Sequence, residues 1–186
     1  MASLISHAAV PLALRLALGS EAVPGRLALA AVLCSALPDV DAVGYWAGIP
    51  YGHPLGHRGF SHSIVCALLV AGAACTLGDR LGARARAVFA VIGLATVSHG
   101  VLDAMTNGGL GVAFFSPFSN RRYFLPWHPL EVSPIGVSAF LSKWGVRVLG
   151  SEAKWIWLPL GVLAAFGLAF RMVRGGPDAR IDKCGE

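Results

Sequence analysis

Charge is scarce in this sequence. Only 13% of its 186 residues are Asp, Glu, Lys or Arg, about half the share near 25% of an ordinary soluble domain. With 55% hydrophobic residues, that shortage argues against a water-soluble globule. Cysteine is equally thin: Cys34, Cys66 and Cys75 lie in apolar runs, Cys184 sits among polar residues, and no C-x-x-C pair occurs. They read as small core residues rather than a disulfide framework. Internal repeats and low-complexity tracts are missing, which excludes solenoid and disordered classes. A cleavable signal peptide is not expected, because Ser6, His7 and Arg15 interrupt the opening apolar stretch.

What is present is a set of long apolar segments separated by small charged patches, with 15 Lys plus Arg against 10 Asp plus Glu. That layout belongs to a small integral membrane protein. The expected fold is all-α and polytopic, with four to five membrane-inserted helices, two of them short, and one interfacial amphipathic helix. Residues 1–174 form one membrane-embedded domain and 175–186 a polar tail.

The spacing predicts a helix over Leu4 to Leu18 and a second from Gly25 to Leu37, closed by Pro38. Both are short against a hydrocarbon core of about 30 Å at 1.5 Å per residue. Asp39 to Ser61 reads as loop, since glycines and prolines deny it a long helix. A helix from Ser61 or His62 to Leu77 and another from Ala87 to Met105 should form an antiparallel pair around a basic turn. Ile135 to Leu149 is expected to be amphipathic and interfacial. Trp155 to Val173 should span the membrane, flanked by Lys154, Arg171 and Arg174.

His7, Asp39, Asp41, His53 or His57, His62, His99 and Asp103 fall at helix ends or in adjoining loops. If the helices alternate in direction, all of them reach one side. His99 and Asp103 are four apart, so they share a helix face one turn apart and can bind one ion. Gly59 lets His57 sit in a loop while His62 opens the next helix, and Asp39 and Asp41 flank Val40 in an extended or turn conformation. Imidazoles with carboxylates suit a borderline divalent cation, two zinc ions with manganese as the alternative. Singly, each residue has a plainer role: a helix-end turn for the aspartates, a cap for His62, a wet interfacial position for His7. Together they point to metal, because a carboxylate buried in an apolar helix without a partner is costly. Metal-assisted hydrolysis is the expected chemistry. The metal ligands would be His7, Asp39, Asp41, His57, His62, His99 and Asp103, with Asp39 as ligand or base.

The strings Leu37-Pro-Asp-Val-Asp41, His57-Arg-Gly-Phe-Ser-His-Ser63 and His99-Gly-Val-Leu-Asp-Ala-Met-Thr106 before Gly108, with Ser6-His7 ahead of them, resemble the membrane-bound metal-dependent hydrolases of the YdjM type over about residues 3 to 135. That resemblance implies an inner-membrane location and a hydrolase. The ligand order is also similar to zinc-dependent phospholipase C and P1-type nucleases, with His7, Asp41, one of His57 or His62, His99 and Asp103 in matching order. That group continues with two more histidines and a glutamate spaced His-x-x-x-Glu. Here only His128 and Glu131 remain, three apart, so no third metal is expected.

Arg58 in the histidine string, as a catalytic anion holder, and the Arg121-Arg122 pair are candidates to hold phosphate oxygens. For the pair, anchoring at lipid headgroups weighs equally. Asn107 either orients a neighbour or simply ends a helix. Eight cations (Arg26, Arg80, Arg84, Arg86, Arg171, Arg174, Arg180, Lys183) fall opposite the cluster. Six (Arg58, Arg121, Arg122, Lys143, Arg147, Lys154) fall beside it, and Arg15 is unassigned. The short Arg80 to Arg86 turn then favours an outward-facing site. The expected partners are membrane lipid and a lipid or amphiphilic phosphoester substrate. Nucleic acid is not expected, and the oligomeric state stays open. A non-enzymatic metal-binding membrane protein, either an ion transporter or a sensor, is the alternative.

Overall fold

The structure is a computed structural model and describes residues 1–134 and 136–174; the tail 175–186 lies outside the described residues. Among the described residues the regular secondary structure is helical. α1 (Leu4–Leu18), α2 (Gly25–Ala36), α3 (Ile64–Cys75), α4 (Gly78–Leu81) and α5 (Ala85–Ala104) are followed by an irregular stretch and then by α6 (Val137–Phe140), α7 (Lys143–Glu152) and α8 (Leu158–Arg174). Among the described residues, three continuous helical stretches are long and apolar enough to cross a membrane: Gly25–Tyr45, Ala85–Ala104 and Lys143–Arg174. Leu4–Leu18 and Ile64–Cys75 are shorter apolar helices.

α5 is the central helix and packs against α3, α2 and α1. Ala71, Val88, Val91, Ile92 and Ala95 join Val23, Leu27, Ala28 and Ala31 in one buried cluster. α3 and α5 run antiparallel, since Ala71 meets Gly93 while His62 meets Gly100. The outer faces are apolar as well: Leu29, Leu33, Leu69, Leu163, Phe166 and Met172 are each more than 60% exposed. A water-soluble surface does not carry so much contiguous apolar area, so hydrocarbon is the solvent these faces fit.

Pro38 does not close α2. It occupies the first turn of a 3-10 helix, Leu37–Tyr45, where its missing N–H costs nothing because that donor has no partner in a first turn. The expected loop is therefore helical as far as Tyr45, Asp39 and Asp41 lie on a 3-10 helix rather than an extended segment, and the second segment reaches spanning length. The short helices are instead α1 and α3.

α3 begins at Ile64, two or three residues later than expected, because Ser63 is its N-cap and accepts from the Cys66 N–H (3.0 Å). The segment read as one amphipathic helix is split into α6 and α7 at Ser142, whose side chain accepts from the Trp144 N–H (3.1 Å) and starts a new helix. α7 then runs through a π-helical turn, Ala153–Trp157, straight into α8. The interfacial and spanning segments are thus one continuous rod.

Residues 106–134 are irregular, pinned by single bridges pairing Thr106 with Leu130 and Val112 with Tyr123.

Candidate metal centre

The turn His57-Arg-Gly-Phe-Ser-His-Ser63 is a compact knot. A Cβ on Gly59 would lie 2.1 Å from the Pro54 carbonyl oxygen, and one on Gly56 would lie 2.2 Å from that of Pro50. Only glycine allows the chain to fold back so closely. The Phe60 N–H then donates to Pro54 O (2.8 Å) and the His62 N–H to Gly59 O (3.1 Å). Between them Arg58 adopts φ +60, a left-handed conformation that costs a non-glycine residue about 1–2 kcal/mol. It persists because the Arg58 backbone N–H donates to Asp41 Oδ2 (3.1 Å) and its carbonyl accepts from the Ala113 N–H (3.0 Å). This knot delivers His57 and His62 to the bundle end where the 3-10 helix brings Asp39 and Asp41, and α5 brings His99 and Asp103.

Four side chains converge. His62 Nε2 lies 3.0 Å from His99 Nε2, 3.7 Å from Asp39 Oδ1 and 3.5 Å from Asp103 Oδ2. His99 Nε2 lies 3.3 Å from Asp39 Oδ1 and 3.9 Å from Asp103 Oδ2. Four ligands at the 2.0–2.2 Å of zinc–nitrogen and zinc–oxygen bonds define a tetrahedron whose edges are roughly 3.3–3.5 Å. These side chains therefore have the spacing of one such ion's ligands.

The tautomers agree. His99 Nδ1 donates to the Ser35 carbonyl (2.7 Å), and His62 Nδ1 faces Asp41 Oδ2 (3.1 Å). Both Nε2 atoms are thereby turned to the common centre, as outer partners do for metal-bound histidines. Burial alone would lower the His62 imidazole, but the carboxylates of Asp103, Asp39 and Asp41 outweigh it and push the group up to about 10. A proton then sits where the carboxylates call for positive charge.

Asp41 differs from Asp39. Its oxygens accept from His57 Nδ1 (2.6 Å), the Arg58 N–H (3.1 Å), the Ser61 hydroxyl and His62. Those contacts are hydrogen-bond lengths and saturate the carboxylate. Asp41, His57 and His62 also form a compact group able to hold a cation, with His62 shared between the two sets.

Asp39 has neither oxygen hydrogen-bonded, and Asp103 Oδ2 and both ring nitrogens of His7 are likewise buried without such partners. His7 stacks on His99 with centroids 3.7 Å apart, and its Nε2 lies 3.6 Å from Asp103 Oδ1. It flanks the four-residue set without belonging to it.

Arg58 is completely buried. Its Nη1 donates to Gly108 O (2.9 Å) and its Nη2 to Thr106 Oγ1 (3.1 Å). Nε sits 3.0 Å from Asp103 Oδ2, near enough for an ion pair although its N–H is poorly aimed for a hydrogen bond. The guanidinium is thus mostly committed to holding Asp103 and the loop after α5. Arg122 ties down the knot through Nη1 to His57 O (2.8 Å) and Nη2 to Tyr51 O (2.8 Å), while Arg121 lies over the Tyr123 ring. Asn107 accepts from the Val132 N–H (2.9 Å), so it fastens the long loop.

His53 accepts from the Leu55 N–H, and His128 packs edge-on against Phe124. Neither joins the cluster. Two contributors escaped sequence reading. The Ser35 carbonyl leaves no side-chain signature. Glu152 is a fully buried carboxylate, and its signal was there to read: a lone acid inside an otherwise apolar and basic stretch.

A cavity of about 140 Å³ lies beside the cluster, lined by Tyr51, His57, Arg58, Gly109, Val132, Met1 and Ser133, and touches the candidate ligand groups only through His57. Burial pushes the Tyr51 phenol up, so it faces this cavity as a neutral hydroxyl. An apolar groove of about 260 Å³, lined by Leu4, Ile5, Pro134, Val137 and Phe140, shares Met1 and Ser133 with that cavity.

No solved structure matches the chain significantly. The inner membrane protein YbcI of Escherichia coli (strain K12) is 39% identical over 161 residues, 86% of this chain and 92% of that protein. The family described as YdjM inner membrane protein matches residues 1–176. With helices fit to cross a membrane and a whole-length family match, the chain belongs to the YdjM inner membrane protein family.

Proposed function

We propose that the protein is a membrane-bound, divalent-metal-dependent hydrolase that cleaves a phosphoester of a lipid or amphiphile. The observation that carries the reading is the convergence of buried, unpartnered carboxylate oxygens and two inward-turned imidazole nitrogens at the edge lengths of one coordination sphere. Buried groups left in that state cost several kcal/mol unless a cation completes them.

Asp39, His62, His99 and Asp103 would hold the ion, with zinc the best fit to two nitrogens and two oxygens and manganese the alternative. Asp41 orients His62, and Arg58 orients Asp103. One ion is the favoured count, because the hydrogen bonds saturating Asp41 would have to be broken for a second. The Asp41, His57 and His62 group is the place a second ion would occupy. Held by four protein ligands, a divalent ion would have to open or add a coordination position, as catalytic zinc can by becoming five-coordinate, to supply Lewis-acid activation of a phosphoryl group and of water near neutral pH. The chain's own residues do the rest. Asp39, through the oxygen not used for the ion, accepts a proton from attacking water, and Tyr51 donates a hydrogen bond in the cavity. The adjoining apolar groove and polar cavity suit the two halves of an amphiphile.

Of the non-enzymatic alternatives, the transporter finds less support. Among the described residues both candidate ligand groups lie at one end of the helices, whereas an ion path needs ligands reaching the midplane from both sides.

The test is elemental analysis of detergent-purified protein together with turnover of a phospholipid and of a soluble aryl phosphodiester. The proposal expects bound zinc or manganese and hydrolysis, abolished by chelation, that favours the phospholipid. Metal without turnover on either substrate would support the non-enzymatic alternative, and absence of both metal and turnover would remove the metal centre altogether.

A further inference from the structure

We propose that Glu152 is a positioning residue for the metal centre: from the end of α7 it fixes the start of α1 and, through it, the carboxylate of Asp103. This rests on the metal reading above. Glu152 is completely buried, and both its oxygens are taken by one residue: Oε1 accepts the Ser3 N–H and Oε2 the Ser3 hydroxyl. Ser3 is the N-cap of α1, yet its side chain caps nothing in its own helix; its hydroxyl is committed to Glu152 instead.

The adjacent residue completes the link. The Ala2 N–H donates to Asp103 Oδ1 (2.7 Å), while Asp103 Oδ2 faces His62 Nε2 at 3.5 Å. Ala2 is itself immobilised in a buried cluster with Leu102, Leu130 and Ile156. The Ala2 and Ser3 N–H groups sit on adjacent peptide planes joined at the Ala2 Cα, so only the Ala2 φ and ψ lie between them, and burial of Ala2 in that cluster restrains both.

The π-helical turn after Glu152 supplies a second tie. Trp157 Nε1 donates to Ser6 Oγ (2.8 Å), beside His7. The wider π-turn, with its i→i+5 bonding, brings residues five apart closer to one face than an α-helix would, and Glu152 and Trp157 both contact the start of α1. The rod α7–α8 therefore sets ligand geometry although it contributes no ligand.

The test measures zinc affinity of the full-length, detergent-purified chain by competition with a chromophoric chelator. Glu152→Ala should weaken zinc several-fold, up to about the 10-fold lower bound for loss of a group bonded directly to a ligand, and Glu152→Gln, which keeps an acceptor for the Ser3 N–H, should recover most of it. Gly167→Ala is the control for simple loosening. Its Cβ would lie 2.7 Å from Ala17 Cα where α8 meets α1, so it should lower the melting temperature and leave zinc affinity at the wild-type value. If Glu152→Ala fails to fold, Ser3→Ala removes only the hydroxyl contact and should give a smaller fall of the same sign. Wild-type affinity in the Glu152 and Ser3 variants would overturn the proposal, as would an equal loss in Gly167→Ala. A wild-type protein that takes up no zinc would end the metal reading itself, and this inference with it.

Discussion

At one end of α1, Arg171 reaches across from α8 to donate to Ala17 O (3.0 Å) and Leu16 O (2.7 Å), and Arg15 donates to Val23 O. At the other end, His7 has no hydrogen bond on either ring nitrogen, and Asp39 and Asp103 keep carboxylate oxygens without donors. The Arg end follows ordinary helix chemistry. Last-turn carbonyls lack partners and carry partial negative charge, so the Arg171 guanidinium covers them, and Arg15 holds the turn that leads into α2. Nothing about helix ends explains the other side. The Asp103 carboxylate, inside the last turn of α5, meets the negative pole of that helix, the unfavourable arrangement. The difference teaches that one end is closed by its own guanidinium groups, while the other gathers buried groups that could hold a cation.

That contrast can be broken most forcefully at His99. His99→Ala removes one of four ligands and should abolish zinc retention after dialysis, a larger loss than the roughly 10–100-fold expected from an outer partner. Circular dichroism should show the helices intact, and a zinc-replete variant would refute the coordination set. Asp41→Asn comes next. The amide keeps the shape but cannot accept from His57, the Arg58 N–H, Ser61 and His62 together, so zinc affinity should fall by about one to two orders of magnitude, read by chelator competition.

Acidity gives a graded effect. The folded-state value of His62 near 10 lies above its ordinary 6.5, so its contribution to metal-free stability is complete below about 6.5 and is lost as pH rises toward 10. Zinc competes with that proton, so zinc-induced stabilisation should grow over the same window. Melting curves with chelator and with zinc should diverge as pH rises; parallel curves would show that no proton is displaced. The smallest effect belongs to the opposite end. Arg26 makes one long contact, 3.4 Å to Arg80 O, at an exposed position. Arg26→Ala should leave zinc affinity unchanged and the melting temperature within error.

Particular residues show what could be read in advance. The limits of α1 followed from Gly19 and the Pro24-Gly25 pair, and α5 from a long, mainly apolar run. The i, i+4 spacing placed His99 and Asp103 on one face, and the alternating directions of the helices put the ligand candidates at one end. The reading of Pro38 as a terminator failed because a proline that ends one helix can open another. The interfacial and spanning segments proved to be one rod, since a π-turn absorbs Lys154 and the tryptophans without a break.

Composition, periodicity and the His57–Ser63 string were enough to establish a helical membrane chain with its candidate His and Asp ligands gathered at one end, because burying apolar faces and excluding charge from hydrocarbon are local requirements written residue by residue. How those residues divide their labour was settled only in three dimensions. Asp39 and Asp41 are two apart in sequence, yet one faces the other ligands unpartnered and the other is saturated with donors. A ligand's role depends on which lone pairs its neighbours leave free, and those neighbours, Ser35, Arg58 and Ala2 among them, come from distant parts of the chain.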